Sequence, residues 1–153
     1  MTTQQTTAQT AGDDVIVPAG TALREVTAQH PDAVDGTWVR ACRLSDLSIG
    51  RGVGVLGPGF EQVALFRVPA AESDREAAAG RSKLYAVGNI DPFSGAAVMS
   101  RGLVGDRAGR ACVQSPIKKQ AFALDDGVCL DDPSVSLPVY PIRVWAGLVE
   151  IGE

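Results

Sequence analysis

Asn89-Ile90-Asp91-Pro92-Phe93-Ser94 and Ser115-Pro116-Ile117-Lys118-Lys119-Gln120 are the two stretches around which this chain is organised. Each follows an apolar, strand-like run: Leu84-Tyr85-Ala86-Val87 before the first, Ala111-Cys112-Val113 before the second. Asn, Asp, Ser and Pro crowd both stretches, and these residues bend a chain by capping their own backbone or by fixing φ. They read as two loops carried on hairpins, the second continuing through Phe122 to Gly127.

This pair resembles the cluster-binding loops of a Rieske iron–sulfur domain, in which a Cys-x-His loop and a Cys-x-x-His loop grip one [2Fe–2S] centre. Pro116 after the first position of the second loop fits the pattern. So do the aromatic Phe122, four residues past its last ligand position, and Gly127 five further on. The ligands do not fit. The Cys positions hold Asn89 and Ser115, and the His positions hold Asp91 and Lys118. An amide and a hydroxyl replace thiolate poorly, and a protonated lysine has no lone pair to give a metal. Cys42, Cys112 and Cys129 lie far apart in strand-like runs and rebuild no chelating pair. The expectation is a Rieske-type scaffold with no metal site and no cofactor of its own.

Those two runs, together with Ser100-Arg101-Gly102-Leu103-Val104-Gly105-Asp106, are similar to the small subunit of the assimilatory NAD(P)H-dependent nitrite reductase. The resemblance covers roughly Thr37 to the C-terminus and leaves the first stretch unmatched. It implies an all-β fold of antiparallel sheets or a sandwich, with the two hairpin loops at the former cluster end. It also implies a large partner subunit carrying FAD, a [4Fe–4S] cluster and sirohaem, which reduces nitrite to ammonium.

Length and composition agree with one such domain. The 153 residues suffice for a single packed core, and seventeen glycines and nine prolines favour a turn-rich β fold over a helical bundle. No apolar run approaches the ~20 residues that cross a membrane. Met1-Thr2-Thr3-Gln4-Gln5 has neither the basic nor the apolar region of a secretory signal, and three scattered cysteines suit a reducing cytoplasm. Residues 1–36 carry five acids and one base, hence the whole net charge of −4, and the remainder balances 13 bases against 13 acids. A neutral body offers no footprint for nucleic acid. Arg101, Arg107, Arg110, Lys118 and Lys119 cluster around the loops while Asp125, Asp126, Asp131 and Asp132 follow, a pattern that predicts solvated turns.

Along the chain, residues 1–36 read as a flexible acidic extension, with a short helix possible over Ala22–Gln29 and the only histidine, His30, as a surface residue. The β domain spans 37–153. Strands are expected at Thr37–Cys42 (Trp38 facing the core), Val53–Leu56, Val63–Val68, Lys83–Gly88, Ser100–Gly105, Arg110–Gln114, Ala121–Leu124, Val128–Leu130 and two within Tyr140–Ile151 joined at Ala146-Gly147. Ser45-Asp46-Leu47 reads as a loop or single turn, and Pro69–Ser82 as an exposed insertion.

No independent active site emerges. Without a histidine in the body a Ser-His-Asp arrangement is excluded and a cysteine nucleophile lacks the same partner, so catalytic residues are expected to be none. The emptied cluster positions invite one specific reading: Asp91 and Lys118, of opposite charge, face each other and bridge the loops, with Asn89 and Ser115 as polar neighbours; the alternative is a Lys118 pointing into solvent. In Rieske proteins this end approaches the redox partner, so Phe93, Arg101, Pro116, Ile117 and Lys119 are the candidates to face a partner, with Met99 nearby. Phe93 reads equally as folding inward, and Arg101 as pairing with Asp106 or Asp91. The leading function is a non-catalytic subunit docked on the sirohaem subunit. A Rieske-type [2Fe–2S] electron carrier and a stand-alone binding or regulatory module are the competing readings.

Overall fold

The structure, a computed structural model, describes residues 15–16, 37–70 and 82–153. Among the described residues ten strands make three sheets: β1 (Val15–Ile16), β2 (Trp38–Arg43), β3 (Gly52–Leu56), β4 (Gln62–Pro69), β5 (Ser82–Gly88), β6 (Leu103–Arg107), β7 (Arg110–Gln114), β8 (Ala121–Ala123), β9 (Ile142–Trp145) and β10 (Leu148–Gly152). The sheet orders are β1-β5-β4-β3, β2-β10-β9 and β6-β7-β8. Single 3₁₀ turns at Leu44–Asp46 and Met99–Arg101 are the helical elements among the described residues.

The strands β4 and β5 explain the architecture. Side chains alternate across a strand, yet Val63-Ala64-Leu65-Phe66 are all buried. Ala64, Phe66, Val68, Tyr85 and Val87 point into one cluster with Val113, Phe122, Leu124 and Cys129. Val63, Leu65, Leu84 and Ala86 point the other way, into a cluster with Leu44, Ile142, Val149 and Ile151. The central sheet is therefore covered on both faces, one by β6-β7-β8 and the other by β2-β10-β9. Each fully buried aliphatic or aromatic side chain in these layers contributes roughly 1.5–3 kcal/mol.

The antiparallel β architecture and most strand positions agree with the sequence reading. Turn chemistry accounts for two hairpins, Ala108-Gly109 and Ala146-Gly147, where both residues have positive φ (54° and 80°, 48° and 75°), the two-residue turn that matches strand twist. Three expectations need correction. Ser100–Gly105 is not one strand: Met99–Arg101 forms a 3₁₀ turn and β6 begins at Leu103. The hairpin after β8 is reduced to single bridges, Phe122 with Cys129 and Val128 with Ser136. Trp38 is half-buried at a sheet face and not in either core; the Arg143 guanidinium stacks on its ring at 4.0 Å, held there by an ion pair to the buried Glu150 at 2.6 Å.

Within the extension, Val15 and Ile16 pair in parallel with Ser82 and Lys83 of β5. The proposed helix at Ala22–Gln29, His30 and most of the insertion 69–82 lie outside the described residues.

Candidate functional site

The β5 strand delivers the first loop and β7 the second, so both leave the same end of their sheets. The first loop closes on itself through Asp91 N–H to Ala96 O (2.8 Å) and Gly95 N–H to Asp91 O (2.7 Å). The second closes through Ser115 N–H to Gln120 O (2.9 Å) and Lys119 N–H to Ser115 O (3.2 Å), with Lys119 at a φ of 69°. Gly127 anchors the far side of the second loop's hairpin. Its φ is +76°, and a Cβ there would run into the Leu137 carbonyl oxygen, so no other residue fits without displacing backbone.

Of the four positions that correspond to cluster ligands, Asp91 and Ser115 form a hydrogen-bonded lock between the loops, Asn89 is tied to its neighbours beside it, and the Lys118 side chain lies outside it. Asp91, 0 % exposed, accepts from the Ser115 hydroxyl at 2.7 Å and from the Ser94 hydroxyl at 2.9 Å, both on Oδ2. Its Oδ1 accepts the Phe93 N–H at 2.9 Å. Ser115 is itself fully buried, and its oxygen faces the Ile117 and Lys118 N–H groups at 3.3 Å each. Asn89 closes the other side: its Oδ1 accepts the Ser100 N–H at 2.8 Å and its Nδ2 donates to Gln62 Oε1 at 3.2 Å. Burial would push the Asp91 carboxyl up, but the donors from Ser115, Phe93 and Ser94 outweigh it and hold the carboxyl below the ordinary range. Asp91 is thus a buried anion stabilised by neutral dipoles.

The expected Asp91–Lys118 bridge is therefore replaced by an Asp91–Ser115 bridge. Lys118 is exposed, and among the described residues it makes no ion pair with Asp91. The reason is geometric: Ser115 is the residue at which β7 enters the loop and stays buried, whereas Pro116 to Lys119 turn outward. The signal for the Asp91 lock was present in Asp91-Pro92-Phe93-Ser94, since an Asp followed by Pro and then Ser three residues on is the pattern of a side chain that caps its own turn.

Of the partner-facing candidates, Arg101, Pro116, Ile117 and Lys119 are exposed. Phe93 takes the inward of its two readings: half-buried, it packs against the core with its ring centroid 6.1 Å from that of Phe122. Met99 is fully buried. Of the charges read as solvated turns, Arg101, Lys118, Lys119 and Asp132 are exposed without an ion pair among the described residues, whereas Arg107 and Arg110, at the opposite end of the β6-β7 hairpin, are paired. Arg107 meets Asp131 at 2.6 Å, and Arg110 holds Asp125 at 2.6 Å and Asp126 at 2.7 Å. These exposed pairs contribute little to stability.

Chemically, the lock does not fit an iron–sulfur centre. It offers an amide, a carboxylate, a hydroxyl and an outward-facing ammonium, where two thiolates and two neutral imidazoles are required. Cys112 and Cys129 are buried in the layers beneath the loops, and burial pushes the Cys112 thiol up and away from thiolate. Among the described residues no three His, Cys, Asp or Glu side chains come together as a metal-binding group.

The three-layer fold with two hairpin loops tied together at one end defines a class: residues 37–152 match the family of Rieske-like [2Fe–2S] domains. Within that class, the chain is 41% identical over 114 residues to the nitrite reductase (NADH) small subunit of Salmonella typhimurium, covering 74% of this chain and 95% of that one. A solved structure of an NADH-dependent nitrite reductase small subunit from Mycobacterium tuberculosis superposes with a TM-score of 0.67 at 58% identity, over 77% of this chain and 96% of that one. The chain belongs to the nitrite reductase small-subunit family. It is also 34% identical over 116 residues, 76% of its length, to a nitrite reductase [NAD(P)H] large subunit from Klebsiella oxytoca, of which the match covers 11%.

Proposed function

We propose that this chain is the non-catalytic small subunit of a cytoplasmic NAD(P)H-dependent nitrite reductase, which converts nitrite to ammonium for nitrogen assimilation. It docks on a large subunit that carries FAD, a [4Fe–4S] cluster and sirohaem, and it holds no cluster of its own. The observation that carries this reading is the match along nearly the whole length of the small-subunit relatives, 95% of the Salmonella chain. The Klebsiella large subunit adds to it, because a segment like this domain there shares one polypeptide with the rest of that subunit. The hydrogen-bonded lock supports the cluster-free part of the reading: Asp91 and Ser115 spend their polar atoms on each other, on Ser94 and on the loop backbone, and Asn89 spends its own on the Ser100 N–H and the Gln62 side chain. The contribution of the chain is then mechanical, a rigid loop end that presents Arg101, Pro116, Ile117 and Lys119 to the partner.

The test is co-purification with the large subunit, with nitrite turnover measured with and without this chain. A stable complex and a turnover or partner stability that falls at least severalfold when the chain is omitted are expected. Turnover and partner stability that ignore the chain would refute the assignment.

A further inference from the structure

Of the seven large apolar side chains exposed among the described residues, six gather at the loop end of the molecule. Leu56 pairs with Gln62 at the turn end of the β3-β4 hairpin, and Phe60 sits at its tip. Ile90 follows Asn89, whose N–H donates to Gln62 O at 2.9 Å, so the hairpin tip abuts the first loop. Leu103 pairs with Gln114, immediately before the second loop, and Ile117 lies within that loop. Val139 bridges Val87 near the end of β5. The seventh, Ile49, bridges Arg67 at the other end of β4. Singly scattered apolar residues are ordinary on a surface, but a concentration at one end is the mark of an interaction site.

Phe60 stands out twice. It is 83% exposed, so folding gains almost nothing from its ring. Its φ is +62°, a left-handed backbone that an aromatic residue rarely adopts, enforced by Phe60 N–H to Gly57 O (3.0 Å) and Gly57 N–H to Glu61 O (2.9 Å). Strain together with solvent exposure, at one residue, is a cost with no return inside this chain.

The charge at this end is equally one-sided. Arg101, Lys118 and Lys119 are exposed, and among the described residues no carboxylate lies within ion-pair reach of them, whereas Arg107 and Arg110 at the far end are paired. The acids nearby form no ion pair with them: Asp91 is buried, Glu61 is half-buried with its carboxylate beside Gly57 and Gly59, and the exposed Asp131, which accepts the Ala121 N–H just past the second loop, is paired with Arg107.

We infer that the β3-β4 hairpin tip, with Phe60 as its anchor, is part of the surface that docks on the large subunit, against an apolar patch rimmed by carboxylates on that partner. This rests on the small-subunit reading above and adds to the loops a third element with a named contact residue. An exposed aromatic entering a partner's pocket is the kind of residue that dominates interface energetics, and the surrounding cations would steer association in a salt-dependent way.

Binding of the purified chain to the purified large subunit is compared for wild type, Phe60→Gly, Ile49→Ser and the double variant Lys118→Glu/Lys119→Glu. Phe60→Gly relieves the backbone strain, so its thermal midpoint should equal or exceed that of wild type while its affinity falls roughly tenfold or more. Ile49→Ser should bind within twofold of wild type, and the charge variant should bind more weakly with a flatter salt dependence. Wild-type affinity in Phe60→Gly, with the wild-type complex intact, overturns the inference and leaves the subunit reading standing. Failure of wild type itself to bind overturns both. Self-association of the wild-type chain that Phe60→Gly abolishes would assign this face to a second copy of the chain and likewise overturn the inference.

Discussion

Phe122→Ala is expected to lower the stability of the domain by about 3–5 kcal/mol, the range for truncating a fully buried aromatic. Phe122 is 0 % exposed, sits on β8 opposite Val113, and packs against Phe93 of the first loop at 6.1 Å between ring centroids. The ring is therefore the hydrophobic seat shared by both loops, and its loss leaves a cavity behind them that the backbone cannot close. Urea unfolding checks this: the midpoint should drop with the slope unchanged, because the surface exposed on unfolding stays nearly the same. A cost below ~1 kcal/mol would mean that the loops do not depend on this seat.

The second large effect concerns the lock. Asp91→Ala removes one acceptor group and strands three donors, the hydroxyls of Ser115 and Ser94 and the Phe93 N–H. A buried donor left unpaired costs ~1–3 kcal/mol, and Ser115 has no water to turn to because it is fully buried; Ser94 and Phe93 are only half-buried and recover part of theirs. A loss of roughly 2–4 kcal/mol follows. The sign of the pH dependence is also set. The folded carboxyl lies below the 3.8 of an unperturbed aspartate, so its stabilisation is fully present above that value and is lost as pH falls through the folded pKa. Wild type should accordingly lose stability on acidification below about pH 4 more steeply than Asp91→Ala does. Equal slopes in the two proteins would show that Asp91 is not held as an anion by the loop donors.

These two residues also mark what could be read from the chain and what could not. Phe122 was legible because its position relative to the second loop belongs to a pattern, and because an apolar residue in Ala121-Phe122-Ala123 has few places to go except inward. β4 and β5 were legible as strands from their apolar runs, but that both their faces are covered emerged only from the packing of the other two sheets. The lock was half legible. Its four positions were identified, but opposite charge suggested Asp91 with Lys118, and charge says nothing about which side chains the backbone turns inward. Ser115 at the end of a buried strand and Lys118 beyond Pro116 are separated by that turn, and burial decided the pairing. Met99 was placed near the loop tips because it neighbours loop residues, and Phe93 was left open between tip and core; the 3₁₀ turn at Met99–Arg101 and the Asp91-capped turn fold both back onto the core. Phe60 carried no signal in its local sequence, since its exposure and its left-handed backbone follow from how the β3-β4 turn closes.

One substitution of chemistry is central: Asp91 and Ser115 join the two loops of this Rieske-like domain, and the proposed consequence is a chain without iron. The direct measurement is iron and acid-labile sulfide content, with the visible absorption spectrum, of the chain purified anaerobically and again after incubation with iron and sulfide. A colourless protein with no stoichiometric iron or sulfide in either state is the predicted result. A brown protein holding about two irons and two sulfides per chain, with the absorption bands of a [2Fe–2S] centre, would contradict it.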